Sequence, residues 1–227
     1  GVTVYSAEEE LEAAGGQAWA VQSDIRFEHQ VQNVIDKAVE KFGGIDILIN
    51  NASAINLTTT EKTEPKRYDL MYDINVRGTF FVTRACAPHL RKAENPHILT
   101  LSPPINLDPK WFENHVAYTI TKYSMSMMTL GWAQEFKKDR IAANALWPKT
   151  TIDTAAVRNL LGGEVLANMS RTTDILSDSA YYILSKPSGE CTGNLFIDEQ
   201  VLAKEGITDL SKYSVVTGAQ LYSDLFV

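Results

Sequence analysis

Short apolar runs alternate along this chain with longer segments in which apolar residues recur every three or four positions. The short runs predict strands at 18–21, 45–49, 97–101, 141–147 and 195–197. The run at 45–49 (IDILI) follows two glycines and is rich in β-branched residues, which is typical of a strand buried on both faces of a sheet.

The segments with helical periodicity lie at 7–14, 30–42, 66–91, 115–137 and 173–185. Regular alternation of strand and helix predicts a parallel sheet with helices on both faces and right-handed crossover connections. The length is that of one α/β domain. We therefore predict a single domain over residues 1–227, in which 199–227 form a C-terminal extension packed on the surface.

Composition narrows the classes of function. Hydrophobic residues make up 44% and charged residues 22% of the chain, which is ordinary for a globular protein with a full core. The net charge of -7 disfavours non-specific binding to nucleic acid or to anionic membranes, and no apolar stretch is as long as a membrane span. Cys86 and Cys191 have no metal or redox spacing, so we predict two reduced thiols and a cytoplasmic location.

The most informative short pattern is Tyr118-x-x-x-Lys122. Two residues four positions apart on a helix share one face. A cation beside a phenol stabilises the phenolate and lowers the tyrosine pKa from about 10 toward neutrality, so the hydroxyl can exchange a proton with an alcohol or a carbonyl oxygen. A tyrosine and a lysine at this spacing also occur as an ordinary surface pair, and the pattern alone fits both interpretations.

Two amides and one acid follow predicted strands. Asn50-Asn51-Ala52 come after the strand at 45–49, and ligands bind beyond the carboxyl ends of strands in such sheets. The small side chain of Ala52 allows a ribose to approach the backbone. Asp24, before Ile25, ends the preceding strand, where it either accepts a hydrogen bond from an adenine amino group or is a helix N-cap or turn residue.

Asn75 falls inside a predicted helix, where asparagine is unfavourable. That position fits a polar task as well as a simple surface location. Taken in order, these motifs resemble those of the short-chain dehydrogenase/reductase family. The matching elements span about residues 6–198 and are Asp24-Ile25, Asn50-Asn51-Ala52, Asn75-Val76-x-Gly78, Ser102, Tyr118-x-x-x-Lys122 and Asn144-Ala145-x-x-Pro148. The segments 102–104, 144–150 and 192–199 resemble a hydroxysteroid dehydrogenase-like subgroup of that family.

The resemblance implies a Rossmann-type doubly wound sheet and an NAD(P)-dependent oxidoreductase that acts on a small carbonyl or alcohol substrate. By the same resemblance Tyr118 is the acid/base, Lys122 binds the nicotinamide ribose and lowers the pKa of Tyr118, Asn75 holds a water in a proton relay, and Ser102 is the catalytic hydroxyl. The implied cofactor contacts are Asp24, Ile25, Asn51, Ala52, Tyr118, Lys122, Pro148 and Thr151. A homo-oligomer, either dimer or tetramer, is implied too, located in the cytoplasm or, in a eukaryote, in the peroxisome or mitochondrion.

Three features depart from the family pattern. At 1–17 there is no Gly-rich phosphate-binding turn, since Gly15-Gly16 precede a predicted strand rather than a helix. We therefore expect a fragment that lacks its first strand–helix–strand unit, and that by itself is inactive and binds no dinucleotide. Pro103 takes the usual position of the catalytic serine, so Ser102 substitutes only if the chain has already turned. Lys149 replaces a glycine, and either binds an anionic substrate group or points to solvent.

Two functions fit this sequence. One is a catalytic oxidoreductase, favoured by the intact set of Asn75, Tyr118 and Lys122; the other is a non-catalytic ligand-binding or scaffold protein on the same fold, favoured by Pro103 and Lys149. Steroids, fatty acyl compounds and small ketones are all open as substrates, and both NAD and NADP as cofactors.

Overall fold

A parallel sheet of four strands forms the centre of the computed structural model, which describes residues 3–227. The strands follow one another across the sheet in chain order: β1 Ile47–Asn50, β2 His97–Leu101, β3 Ala142–Trp147 and β4 Leu195–Ile197. The register places Leu48 beside Ile98, and Ile98 beside Ala143. The predicted parallel α/β fold is confirmed, and the predicted strands at 97–101 and 195–197 agree to the residue.

Helices connect the strands and cover the sheet. The α-helices of the described residues are α1 Val4–Ala13, α2 Glu28–Phe42, α3 Pro65–Met71, α4 Thr79–Leu90, α5 Val116–Glu135, α6 Gly163–Asn168, α7 Asp174–Leu184 and α8 Asp198–Lys204. Two π-helical segments, Tyr72–Gly78 and Val157–Leu161, lead into α4 and toward α6. Short 3-10 turns lie at Thr60–Lys62, Pro109–Trp111, Lys137–Asp139 and Ser211–Tyr213.

The central strands β2 and β3 are buried on both faces, which explains their nearly continuous apolar runs. Between the sheet and α2, α4 and α5 lies a core that includes Val31, Ile35, Cys86, Leu90, Ile98, Trp132 and Ala143. Between the sheet and α7 and α8 lies a second core that includes Leu99, Leu146, Ile183, Cys191 and Val201. Because successive strand residues point to opposite faces, Ile98 and Leu99 belong to different cores.

The segment 18–21 is not a strand, so this prediction was wrong. The structure assigns no regular element to 16–24. The backbone groups of a strand need hydrogen-bond partners on a neighbouring strand. This segment packs against α2 instead: the Lys41 ammonium donates to the Ala18 carbonyl at 3.1 Å and lies 5.4 Å from the Trp19 ring centroid. The adjacent face of the sheet edge stays open, since Ile47 and Ile49 of β1 are 43% and 49% exposed.

Most of residues 199–227 lie at the surface, but a few of their side chains are buried. After α8, the chain forms the 3-10 turn at Ser211–Tyr213 and then returns to the carboxyl end of β3, where the Leu225 carbonyl accepts a hydrogen bond from the Trp147 indole. Ser214 bridges to Arg171, and Ser223 to Thr150. The side chains of Tyr213 and Phe226 are only 1% exposed, so these two residues anchor the segment in the core.

The π-helical segment requires a glycine at its last residue. A Cβ atom on Gly78 would lie 2.7 Å from Cδ1 of Ile25 and 3.1 Å from the Asp73 carbonyl oxygen. We expect Gly78→Ala to lower the free energy of unfolding by about 1–3 kcal/mol through overpacking, more than alanine gains in helix propensity. Urea unfolding measures this change.

Gly189→Ala is the matched control, because a Cβ there meets no atom within 4 Å and Gly189 does not have a positive φ. We expect its free energy of unfolding to stay within about 0.5 kcal/mol of the unchanged protein. Equal stability of the two variants would show that the contact between Gly78 and Ile25 does not constrain the fold.

Candidate functional site

Tyr118 and Lys122 lie one turn apart at the start of α5, on the face turned toward the carboxyl ends of β2 and β3. The helix begins after His115, whose ring nitrogen Nδ1 is 2.9 Å from the Thr119 hydroxyl. That hydroxyl donates to the Trp111 carbonyl at 2.5 Å, so the first turn of α5 is tied to the preceding loop. Both candidate residues are buried, at 4% exposure for Tyr118 and 2% for Lys122, and the interpretation as a surface pair is excluded.

The Lys122 ammonium makes few polar contacts that could offset the free-energy cost of its burial. It donates to the Leu101 carbonyl at 2.6 Å and lies 5.0 Å from the centroid of the Trp147 ring. Burial lowers the pKa of Lys122 to about 7, while the negative charge of Asp224 acts in the opposite direction. The charge of this lysine is therefore sensitive to any group that enters the site.

The pKa of Tyr118 is shifted in the direction opposite to that expected from the spacing. Burial raises it, and the nearby Asp224 raises it further. Desolvation of the phenolate therefore dominates the pKa of Tyr118. Within residues 3–227 the Tyr118 hydroxyl has no hydrogen-bond partner, so it is a protonated phenol facing a cavity.

Asn75 lies in the π-helical segment and is completely buried. Its Oδ1 accepts hydrogen bonds from the Ser53 hydroxyl at 3.1 Å and the Ala54 N–H at 2.7 Å. Its Nδ2 donates to the Ala54 carbonyl at 2.9 Å and the Thr121 hydroxyl at 3.0 Å. The side chain thus joins the loop after β1 to α5, and protein atoms occupy its donors and acceptors.

A cavity of about 710 Å³ opens in front of Tyr118 and Lys122. Five of the predicted cofactor contacts line it, namely Asn51, Tyr118, Lys122, Pro148 and Thr151. The remaining wall is mostly apolar and comes largely from the loop after β1, the second π-helical segment and α6: Ile55, Leu57, Ile152, Ala156, Val157, Leu161, Val165, Leu166 and Met169. Such a space can hold an apolar ligand beside the two reactive side chains.

The structure does not bring Ser102 into this cavity. Leu101, the last residue of β2, lines it, whereas Ser102 is 0% exposed and its hydroxyl has no partner within residues 3–227. Successive residues of a strand point to opposite faces, and the turn toward the cavity does not occur at Ser102. Ser53, which sequence reasoning missed, is a cavity-lining hydroxyl and donates to Asn75.

Asp24, Ile25 and Ala52 do not line the cavity either. Asp24 forms a paired contact with the Arg26 guanidinium, at 2.9 Å from Nε and 2.5 Å from Nη2 to the same carboxylate oxygen. The side-chain hydrogen bond from Arg26 lowers the pKa of Asp24. Ile25 packs against the core and against Gly78. Asp24 and Ile25 form the turn before α2, whereas Ala52 lies in the loop after β1.

Lys149 lies outside the cavity of Tyr118. It lines a neighbouring cavity of about 510 Å³ together with Glu199 and Phe226. Its backbone N–H donates to Asp198 at 2.9 Å. The hypothesis that Lys149 binds an anionic group of the substrate beside Tyr118 is therefore not supported by its position.

The sequence analysis did not identify the last residues of the chain as part of the site. Tyr222–Val227, which we call the C-terminal strap, contributes Tyr222, Ser223, Asp224 and Leu225 to the cavity wall. Of these, Asp224 is the one that changes the charge of the site. The only signal in the sequence was an acidic residue inside an apolar run, SDLFV, which is too common to single out.

The described residues, 3–227, contain no group of three His, Cys, Asp or Glu side chains placed to hold a metal ion. The thiols of Cys86 and Cys191 are free and buried, and burial raises the pKa of Cys86 to about 12. In that same part of the chain no helix has both the length and the apolar character needed to cross a bilayer.

Comparisons with known proteins point to one family. Residues 3–163 match the short chain dehydrogenase family. The chain is 53% identical over 225 residues to hydroxysteroid dehydrogenase-like protein 2 of Danio rerio, covering 99% of this chain and 54% of that protein. For the Homo sapiens protein of the same name the identity is 51%, again with 99% of this chain and 53% of the relative covered. The chain thus spans about half the length of these curated relatives.

Among solved structures, a short chain dehydrogenase from Mycobacterium thermoresistibile is 50% identical to this chain. The alignment covers 100% of this chain and 80% of that one, with a TM-score of 0.93. The sheet and its flanking helices are therefore shared with this dehydrogenase.

Proposed function

Because this chain belongs to the short-chain dehydrogenase family, we propose that it interconverts an alcohol and a carbonyl compound with a nicotinamide cofactor, and that Tyr118 is the acid/base. One observation carries the proposal: Tyr118 and Lys122 are buried together in one cavity with Asn51, Pro148 and Thr151.

The donors and acceptors in the cavity fit the reactive half of a dinucleotide. The Lys122 ammonium has three N–H groups, of which the Leu101 carbonyl takes one. The others are available for ribose hydroxyls. The exposed amide of Asn51 and the backbone at Pro148 and Thr151 border the same space. Asp24 fits less well, because its carboxylate is already paired with Arg26.

A bound nicotinamide would supply or take up the hydride at the substrate carbon. Tyr118 then donates its proton to the carbonyl oxygen as negative charge develops there, and in the reverse direction it accepts the proton of the alcohol. The raised pKa keeps Tyr118 protonated before the reaction, and the Lys122 ammonium stabilises the phenolate left by proton transfer. Asn75 holds the loop and helix that frame these groups.

Cofactor titration and turnover with the full-length protein test the proposal. We expect NADH or NADPH to bind and to be consumed with a neutral ketone or produced with an alcohol, followed by absorbance of the reduced nicotinamide. The alternative, a non-catalytic ligand-binding or scaffold protein, is favoured by Ser102 lying outside the cavity. It would bind the cofactor or an apolar ligand without any turnover.

We also propose that the active unit is a homo-oligomer that pairs through α5. Ile120 and Met127 lie on one face of this helix, two turns apart, and are 41% and 62% exposed. An apolar face on an otherwise buried helix is stabilised by a partner that covers it. We expect light scattering at micromolar concentration to give a dimer or tetramer, and Met127→Glu to shift it toward monomer. A monomer before the substitution would contradict this proposal.

A further inference from the structure

The C-terminal strap is fixed to the active site by its backbone. The Thr151 N–H donates to the Tyr222 carbonyl at 3.0 Å, and the Asp224 N–H donates to the Lys149 carbonyl at 3.1 Å. Further along, the Trp147 indole donates to the Leu225 carbonyl at 2.9 Å. These bonds attach the strap to the carboxyl end of β3, so the position of Asp224 is set by the fold.

Phe226 anchors the strap. Its side chain is 1% exposed, and its ring centroid lies 6.3 Å from that of Tyr118, 5.3 Å from Tyr123 and 6.0 Å from Trp147. Its φ of 75° is in the left-handed region, which a phenylalanine adopts only when its surroundings hold it there. Burial of this ring fixes the turn that presents Asp224 to the cavity.

Asp224 and Lys122 are the only charged side chains in the described part of the chain that line the cavity. They differ in how they face it. Lys122 is 2% exposed, and its ammonium is directed to the Leu101 carbonyl and the Trp147 ring. Asp224 is only half-buried, and its carboxylate accepts one hydrogen bond, from the Leu225 N–H to Oδ1 at 2.6 Å. The Asp224 carboxylate is therefore the more exposed of the two charges that line the cavity.

Two charged groups act on Asp224: the carboxylate of Asp198 adds to its negative charge, and Lys122 opposes it. Asp198 is 0% exposed, and its carboxylate accepts hydrogen bonds from the Lys149 and Glu199 N–H groups. Its charge raises the pKa of Asp224. Arg171 is paired with Glu199 and lies outside the cavity. Burial raises the pKa of Asp224 to about 6, with Asp198 raising it further and Lys122 opposing the shift. At neutral pH the carboxyl is ionised.

We propose that Asp224 determines substrate specificity: its carboxylate, facing the apolar cavity beside Lys122, excludes ligands that carry a free carboxylate and admits neutral, largely apolar alcohols or carbonyl compounds. The inference rests on the proposed function in one respect, namely that this cavity holds the substrate. A second carboxylate placed there would lose its hydration and meet a like charge in a poorly polarisable environment.

Binding of a matched pair of probes tests this without turnover. Methyl decanoate and decanoate share one acyl chain and differ in charge. Binding to the full-length protein is measured by ligand-observed NMR at about pH 8, above the Asp224 pKa of about 6. We expect the ester to bind about 10-fold more tightly than the acid, or more. Asp224→Asn keeps an acceptor for the Leu225 N–H and should reduce this ratio by about 10-fold, chiefly by tighter binding of decanoate.

Two variants separate charge from structure. Asp224→Glu retains the charge and should keep the preference for the ester. Asp209→Asn removes a carboxylate that is exposed and outside the cavity, and should leave the ratio unchanged. The proposal is overturned if Asp224→Asn leaves the ratio as it was, if decanoate binds more tightly than the ester at the outset, or if neither probe binds. Failure of turnover with every alcohol and ketone, together with the expected binding ratios, would instead overturn the proposed enzymatic function.

Discussion

Tyr118→Phe is expected to lower kcat by about 10²–10⁴-fold, the usual contribution of a general acid or base. Phenylalanine keeps the ring that packs near Phe226 and removes only the hydroxyl that faces the cavity. Because that hydroxyl has no hydrogen-bond partner in the part of the chain that the structure describes, its removal leaves no buried group unpaired. Cofactor affinity and stability should therefore change little. Steady-state kinetics with a neutral ketone and a fluorescence titration of the reduced cofactor measure both effects.

Tyr123→Phe is the matched control on the same helix. The Tyr123 hydroxyl donates to the Asn106 carbonyl at 2.5 Å and lies outside the cavity. Its loss should cost about 1 kcal/mol of stability, as for a typical hydrogen bond, and leave kcat within a few-fold. If Tyr118→Phe kept full turnover, or if both variants lost it equally, another group would have to supply the proton.

The sheet and most helices could be predicted because the spacing of their apolar residues follows the face that is buried in the core. The apolar run at 18–21 could not be assigned in this way, because a strand forms only beside another strand. This segment packs against α2 instead. The helix predicted over 66–91 is continuous, but the spacing of its apolar residues does not reveal the π-helical segment at Tyr72–Gly78. Only the asparagine within it signalled an unusual position.

The two central site residues were found because they are neighbours in sequence: Tyr118 and Lys122 are one helical turn apart, and any amphipathic helix would place them together. Asp224 was missed for the opposite reason. It enters the cavity of Lys122 only through the return of the strap, about a hundred residues later, and no local pattern encodes that placement. Ser102 lies outside the cavity because successive residues at the end of a strand point to opposite faces, and Leu101 is the one that faces the cavity.

Lys122→Met is expected to lower activity and raise stability at once. Methionine keeps much of the apolar stem and removes the ammonium. Hydrogen bonds to a charged group contribute about 1.5–3 kcal/mol, so we expect cofactor affinity to fall by about 10-fold or more, and kcat to fall as well because the Tyr118 phenolate loses its stabilising charge. Lys122→Arg should not restore either quantity, because the planar guanidinium does not fit the place of a compact ammonium.

The stability effect follows from the pKa. In the folded chain the pKa of Lys122 is about 7, against an ordinary value of 10.5. Between these values the unfolded chain binds more protons than the folded one, so this lysine makes the free energy of unfolding rise with pH across that window. At neutral pH and below, the folded chain bears the cost of the buried cation. Lys122→Met removes that cost, so its Tm at neutral pH should exceed that of the unchanged protein, and the difference should shrink as pH rises toward 10.5.

Opposite signs for function and stability identify Lys122 as a residue kept for its chemistry, since an ordinary core residue would lower both quantities when replaced. Lys149→Met is the control: this lysine lines the neighbouring cavity, so cofactor affinity should stay unchanged. Thermal unfolding at two pH values and cofactor titration of the three proteins give the full comparison. A Lys122→Met protein that binds the cofactor normally would exclude the ribose contact, and one that melts earlier at neutral pH would show that the lysine is a net stabilising partner of Asp224.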